Sequence, residues 1–240
     1  VADSAKLPAP LSLAPALFPE GVVVRAIELF EPSEAALASF SSVALPERLA
    51  TAALERKIHY LAGRSCARDA MGELSPPHRD VPVPTGESRE PLFPEGIVGT
   101  VSHTKRYAAA AVAHASRFRG LGVDVERWMK IDAPPRLAGH VTVPGELTHL
   151  LETTGFLPHE ALTLVFSAKE SVYKAFFGAV RRYFGFHDAR ITRVEERSGA
   201  FFGQLESHLT GELSRGYTFE GRYERVDGGL VTAVAFPSRG

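Results

Sequence analysis

The sequence predicts an α+β fold of two similar subdomains in tandem, each a mainly antiparallel sheet packed with a long helix. Two observations point there first: hydrophobic periodicity passes from helix-like to strand-like twice along the 240 residues, and each half closes on a strand of small residues. These strands are YAAAAVA at 107–113 and GLVTAVA at 229–235. The length fits one large or two small domains, and the change of pattern sets the halves at 1–119 and 120–240.

In chain order, the first twenty residues hold four prolines and no basic leader, so they read as an irregular surface arm rather than a secretory signal. Ser33-Glu34 starts a helix that breaks at Pro46, and a second helix runs from Glu47 to Met71. On it Leu54, Ile58, Leu61, Ala62 and Ser65 share a stripe, with Lys57, Arg64 and Arg68 along its flank. Residues 75–96, dense in Pro, Gly and charge, form a long loop. Ile97–Val101 and Tyr107–Ala113 read as an antiparallel pair around Ser102 to Arg106, and Gly120–Glu126 as a third strand. Glu146–Glu152 and Pro158–Tyr183 are helical. Strands return at Ala189–Glu195, Ala200–Glu206, Tyr217–Arg225 and Leu230–Phe236.

Composition excludes several classes. With 45% hydrophobic residues and 27 Lys and Arg against 28 Asp and Glu, the chain is neither disordered nor a uniformly basic nucleic-acid binder. Cys66 is the one cysteine, so an internal disulfide and thiolate-rich metal sites are out, and a reducing, cytoplasmic home fits. No apolar run approaches the roughly 20 residues of a membrane span.

Chemistry concentrates at a few positions. In GLGVDVE, Asp124 and Glu126 are two apart on a strand and so share a face, while Val123 and Val125 take the other. Alone, a solvated strand end explains such a pair. FSAKESVYK at 166–174 places Glu170 and Lys174 four apart on one helix face, with Lys169 a step around and an apolar face opposite. Three hard oxygen donors without sulfur or paired imidazoles suit Mg²⁺, with Mn²⁺ as a substitute, and Mg²⁺ completes its shell with water and phosphate oxygens. Arg56, Lys57, Arg64, Lys105 and Lys174 could meet those oxygens. No GxxxxGK[ST] or GxGxxG loop is present. Ser102, His103 and Thr104 lie at the turn between two strands, where hydroxyls, imidazole and backbone N–H groups can converge on an anion. Adjacent strand residues point to opposite faces, so Ser102 and His103 are no acyl-transfer pair.

As a set, four blocks in order resemble the larger, pseudo-dimeric 4′-phosphopantetheinyl transferases, most nearly the enterobactin-synthetase branch. The blocks are RKIHYLAGR at 56–64, EPLFPEGIVGTVSHT at 90–104, GVDVE at 122–126 and FSAKESVYKA at 166–175. Phe93 stands where that branch usually has Trp, and Thr100 where Ser is common. The resemblance implies a pseudo-twofold fold and transfer of 4′-phosphopantetheine from coenzyme A to a serine of apo acyl or peptidyl carrier domains, releasing adenosine 3′,5′-bisphosphate. It implies that Asp124, Glu126 and Glu170 hold Mg²⁺ on the pyrophosphate. Arg56, Arg64, Ser102, His103 and Thr104 would bind the nucleotide phosphates, in the half at 1–119. Lys174 would contact the pyrophosphate, and Glu170 is the favoured general base, although a carboxylate oxygen cannot be metal ligand and base at once, which leaves water or Glu126 for that role. The partners so implied are carrier domains of polyketide and nonribosomal peptide synthetases, met by a monomer, with a siderophore role in view. Two other classes stay open: a non-enzymatic coenzyme A or nucleotide binding module, needing only the basic residues, and a Mg²⁺-dependent phosphoester hydrolase, needing no protein acceptor.

Overall fold

The computed structural model describes residues 6–131 and 135–238, so the first five residues of the arm lie outside the described residues. The chain divides into two compact units, Val1–Leu13 with Glu20–Phe118, and Ala14–Pro19 with Arg119–Gly240.

The first unit is a four-stranded sheet in the order β1 (Ala9–Pro10), β2 (Val22–Glu28), β4 (Tyr107–His114), β3 (Ile97–His103). Every neighbour is antiparallel, with Val22 opposite Ala113 and Ile97 opposite His114. The predicted hairpin is present, but the sequence reading assigns nothing to β1 and β2. Three successive valines followed by a mixed RAIE blur the period-2 signal of β2, and register with β4 decides the matter instead. Helix α1 spans only Glu34–Ala38; the Ser33 hydroxyl caps it by accepting from Ala36 N at 3.1 Å. The long helix α2 is Leu54–Leu74, beginning later than Glu47 because 47–49 form one 3-10 turn. No side chain caps its start at Ala53, so the sequence carries no start signal there. Ile58, Leu61, Ala62, Cys66, Ala67, Ala70 and Met71 are buried, and the helix packs on β2, β3 and β4. Alanines along β4 keep that strand shallow enough for α2 to lie close.

The second unit holds five strands in the order β5 (Phe118–Arg127), β9 (Gly229–Pro237), β8 (Thr218–Val226), β7 (Ala200–Leu205), β6 (Ala189–Glu195). From β9 to β6 the pairs are antiparallel. Three helices follow β5: α3 (Pro135–Val141), α4 (Glu146–Thr153) and α5 (Pro158–Val180). Helix α3, a short segment with Gly139 inside, is another element that the sequence reading passes over. At the start of α5, Glu160 accepts from Leu157 N at 3.0 Å and Pro158 opens the first turn. The helix stops three residues before the predicted Tyr183, because Arg181 turns into the left-handed region at φ 52°. Phe184 then returns to the core, with its ring 4.9 Å from that of Tyr173.

Two glycines determine how α5 meets β5. A Cβ on Gly120 would collide with the carbonyl oxygen of Ala175, and one on Gly122 with that of Ser171. The alternating glycines thus let helix backbone rest on strand backbone, and they bring Asp124 and Glu126 beside the turn of α5 that carries Glu170 and Lys174. Among the described residues, no helix is long and apolar enough to cross a membrane.

Candidate active site

The acidic cluster lies within the second unit. Val123 and Val125 are fully buried as expected, but Asp124 is itself only 3% exposed, so its face of β5 is covered rather than solvated. Lys174 closes on it: Nζ donates to Asp124 Oδ1 at 2.7 Å and to the Val123 carbonyl at 3.0 Å. Asp124 Oδ2 accepts from Ser167 Oγ at 2.9 Å. The i,i+4 pattern points Lys174 at Glu170, whereas the short contact goes to Asp124.

Electrostatics couple the remaining carboxylates. Burial pushes the Glu126 carboxyl up to about 8, with Asp124 and Glu170 adding repulsion and Lys174 opposing it. Glu170 is also raised, first by burial and then by Asp124, against the pull of Lys174. The three carboxylates therefore lie close enough to feel one another. Among the described residues, however, no group of three or more His, Cys, Asp or Glu side chains is arranged to hold a metal ion. The ammonium of Lys174 takes the Asp124 oxygen instead. The donor set fits a divalent cation chemically: it consists of hard oxygens, partly desolvated and mutually repelling, with one oxygen already held by a positive charge.

Lys169 has a different task from its neighbours. Its Nζ donates to Glu146 Oε2 at 2.7 Å and to the Val141 carbonyl at 2.9 Å, and both side chains are essentially inaccessible. Burial lowers the Lys169 ammonium, with Glu146 acting against that. Glu146 also accepts from Val143 N at 2.9 Å and Ile191 N at 2.6 Å, so the pair fastens α5 to the α3–α4 turn and to β6. Beside it a cleft of about 130 Å³ is lined by Lys169, Glu170, Tyr173, Tyr183, Phe184 and Phe186.

The basic residues belong to the first unit. Arg56 is exposed and Arg64 half-buried, both on α2. Arg64 and Arg48 each donate to Thr85 Oγ1, at 3.2 and 2.9 Å, and both guanidiniums lie over the Tyr60 ring. Arg64 Nε is buried without a hydrogen-bond partner among the described residues. Ser102 is buried at the end of β3, and the exposed His103 stacks on His59 with ring centres 5.5 Å apart. Burial holds the His59 imidazole below its ordinary range, Glu55 counteracts this, and Arg56 and Lys105 reinforce it. Thr104 builds the turn: its hydroxyl oxygen accepts from Arg106 N at 3.3 Å and Tyr107 N at 3.1 Å. Lys105 pairs with Glu55 at 3.3 Å. Sequence reasoning missed Arg48, His59 and Thr85; the only available signal was the abundance of Arg and His near α2.

A buried acidic cluster answered by a lysine in one unit, and arginine and histidine gathered on the other, are chemically suited to phosphate-bearing substrates. Comparison with known sequences makes the class specific. Residues 45–113 match the 4′-phosphopantetheinyl transferase N-terminal domain, and residues 120–234 match the 4′-phosphopantetheinyl transferase superfamily. The chain is 35% identical over 190 residues to the 4′-phosphopantetheinyl transferase Npt of Nocardia iowensis, covering 76% of this chain and 83% of that protein. Against the 4′-phosphopantetheinyl transferase PptT of Mycobacterium tuberculosis it is 30% identical over 198 residues, 79% and 85% of the two chains. Enterobactin synthase component D of Salmonella typhi shares 40% over 148 residues, 62% and 59%. The chain belongs to the 4′-phosphopantetheinyl transferase superfamily, in the larger branch that its motifs resemble. It is an enzyme that transfers the phosphopantetheinyl group of coenzyme A to carrier-protein domains.

Proposed function

We propose that Asp124, Glu126 and Glu170 hold one Mg²⁺, which Mn²⁺ can replace, while Arg56, Arg64, Ser102, His103 and Thr104 receive the nucleotide phosphates of coenzyme A. The observation that carries this reading is the Lys174 ammonium seated 2.7 Å from Asp124 Oδ1, a cation already drawn into a buried acidic cluster. When bound, the divalent ion would neutralise charge on the pyrophosphate.

The chain's own residues do the rest. Lys174 is placed to leave Asp124 for a phosphate oxygen and to steady charge on the departing adenosine 3′,5′-bisphosphate. Glu170, with its proton affinity raised by burial, is suited to take the proton from the acceptor serine hydroxyl, unless its oxygens are engaged as ligands; Glu126, raised to about 8, is the alternative base. The aromatic cleft beside Glu170 suits an extended, uncharged chain, which favours it for the pantetheine arm. In the first unit, the Arg48 and Arg64 guanidiniums that converge on Thr85 are the donors proposed to meet a phosphate. Thr104 contributes through the turn its hydroxyl builds.

The carrier domain is proposed to dock over the segment between Glu126 and Phe166, where Ile131 and Leu157 expose apolar surface. We take the acceptors to be carrier domains of polyketide and nonribosomal peptide synthetases, including siderophore assembly, and the setting to be cytoplasmic, in keeping with a single buried thiol. One copy carries both the basic and the acidic residues, so we take the working form to be a monomer, which sedimentation checks. Intact-mass measurement tests the whole reading. Apo peptidyl and acyl carrier proteins incubated with the chain and coenzyme A should each gain one phosphopantetheine group only when Mg²⁺ or Mn²⁺ is supplied after chelation. Full transfer in chelator would overturn the metal assignment.

A further inference from the structure

Behind Asp124 lies a chain of hydroxyls that the proposed chemistry does not use. Ser167 Oγ is 2.9 Å from Asp124 Oδ2 and 2.9 Å from Thr232 Oγ1 on β9, and Ser171 Oγ, one turn along α5, is 2.7 Å from the same Thr232 oxygen. Ser167, Ser171 and Thr232 are all fully buried.

Counting protons gives the chain a direction. Each hydroxyl has a single hydrogen, and an ionised carboxylate oxygen can only accept. The Ser167 proton therefore goes to Asp124 Oδ2. The proton of Thr232 points back at Ser167, whose Oγ and whose carbonyl, at 2.8 Å, are both within reach. Ser171 is left to donate, either to Thr232 Oγ1 at 2.7 Å or to the Thr232 carbonyl at 3.1 Å. Whether Thr232 Oγ1 donates to the Ser167 carbonyl at 2.8 Å or to its Oγ at 2.9 Å, the bond ties β9 to the residue whose Oγ holds Asp124 Oδ2.

Resting on the assignment of Asp124 as a metal ligand, we propose that Thr232 is a positioning residue, acting through Ser167 to keep Asp124 Oδ2 turned into the protein and Oδ1 presented as the cation ligand. Lys174 on Oδ1 shows which oxygen this arrangement offers to a positive charge. A residue on β9 that touches neither metal nor substrate then sets the metal affinity of the site.

Direct Mn²⁺ titration, followed by the electron paramagnetic resonance signal of the free ion in saturating coenzyme A without carrier protein, tests this. Thr232→Val keeps the side chain's shape without its hydroxyl and should weaken Mn²⁺ about tenfold. Thr232→Ser keeps the hydroxyl and should stay within about twofold of the parent chain. A Val variant that binds as tightly as the parent, or a Ser variant weakened as much as Val, overturns the proposal. Should the Val variant not fold, Ser171→Ala carries the same test, with roughly threefold weakening expected and unchanged affinity overturning the proposal. Asp124→Asn separates the two layers: undiminished Mn²⁺ binding there means that the assignment of Asp124 as ligand has failed, whatever the Thr232 variants do.

Discussion

The two units hold charge in opposite ways. On the first, Arg56 on α2 and His103 at the end of β3 are exposed and Arg64 is half-buried. In the second, Asp124 is buried, bonded on both oxygens and backed by helix and strand backbone in contact. Exposed charges in water each contribute modestly and can stand in for one another, whereas a buried, hydrogen-bonded charge is expensive to disturb and cannot be replaced locally. Substrate capture should therefore degrade gradually under mutation, and chemistry should fail at once.

Asp124→Asn should break this contrast most visibly. It leaves Lys174 facing a neutral amide and removes one negative charge from the proposed metal site, so turnover at saturating coenzyme A should fall about 10³-fold, the scale of several kcal/mol of transition-state stabilisation. Steady-state transfer to an apo carrier protein measures it. Next in size is Gly122→Ala, which forces a methyl group against the Ser171 carbonyl. Overpacking of this kind should cost about 1–3 kcal/mol, read from urea unfolding, with turnover falling as α5 is displaced from β5. His103→Ala should raise the KM for coenzyme A by roughly tenfold while kcat changes little, in line with one lost bond to a charged group. A large fall in kcat there would place His103 with the chemistry instead.

The smallest effect concerns His59. Burial keeps its imidazole below the ordinary value of 6.5, which it regains on unfolding. Below about pH 6.5 the unfolded chain takes up the proton before the folded chain does, so this contribution is intact above that pH and is lost as pH falls through the lower folded value. His59→Gln should flatten the decline of the urea midpoint between pH 7 and pH 5; an unaltered decline would assign it to other groups.

How much of this was readable beforehand differs between elements. The β3–β4 hairpin, β5 and the bulk of α5 are written in local periodicity and turn chemistry. Strand β2 is not, because its position between β1 and β4 follows from pairing with residues 79 to 91 positions away. GLGVDVE and FSAKESVYK disclosed the acidic residues, since same-face spacing on a strand and on a helix is a local property. What those residues bond to is not local. Nothing local to Lys169 announces its role, because its partner Glu146 lies 23 residues earlier and the two meet only after α4 has docked. Thr232 carries no signal of its own within the small-residue strand at 229–235, and its hydroxyl joins two serines on α5.

That the carboxylates at 124, 126 and 170 serve one divalent ion is tested most directly by anomalous diffraction from crystals grown with Mn²⁺ and coenzyme A. The predicted result is a single Mn²⁺ peak within bonding distance of all three side chains, with Lys174 withdrawn from Asp124 to a phosphate oxygen. A peak that leaves Glu170 uncoordinated, or that lies away from Asp124, would contradict the account.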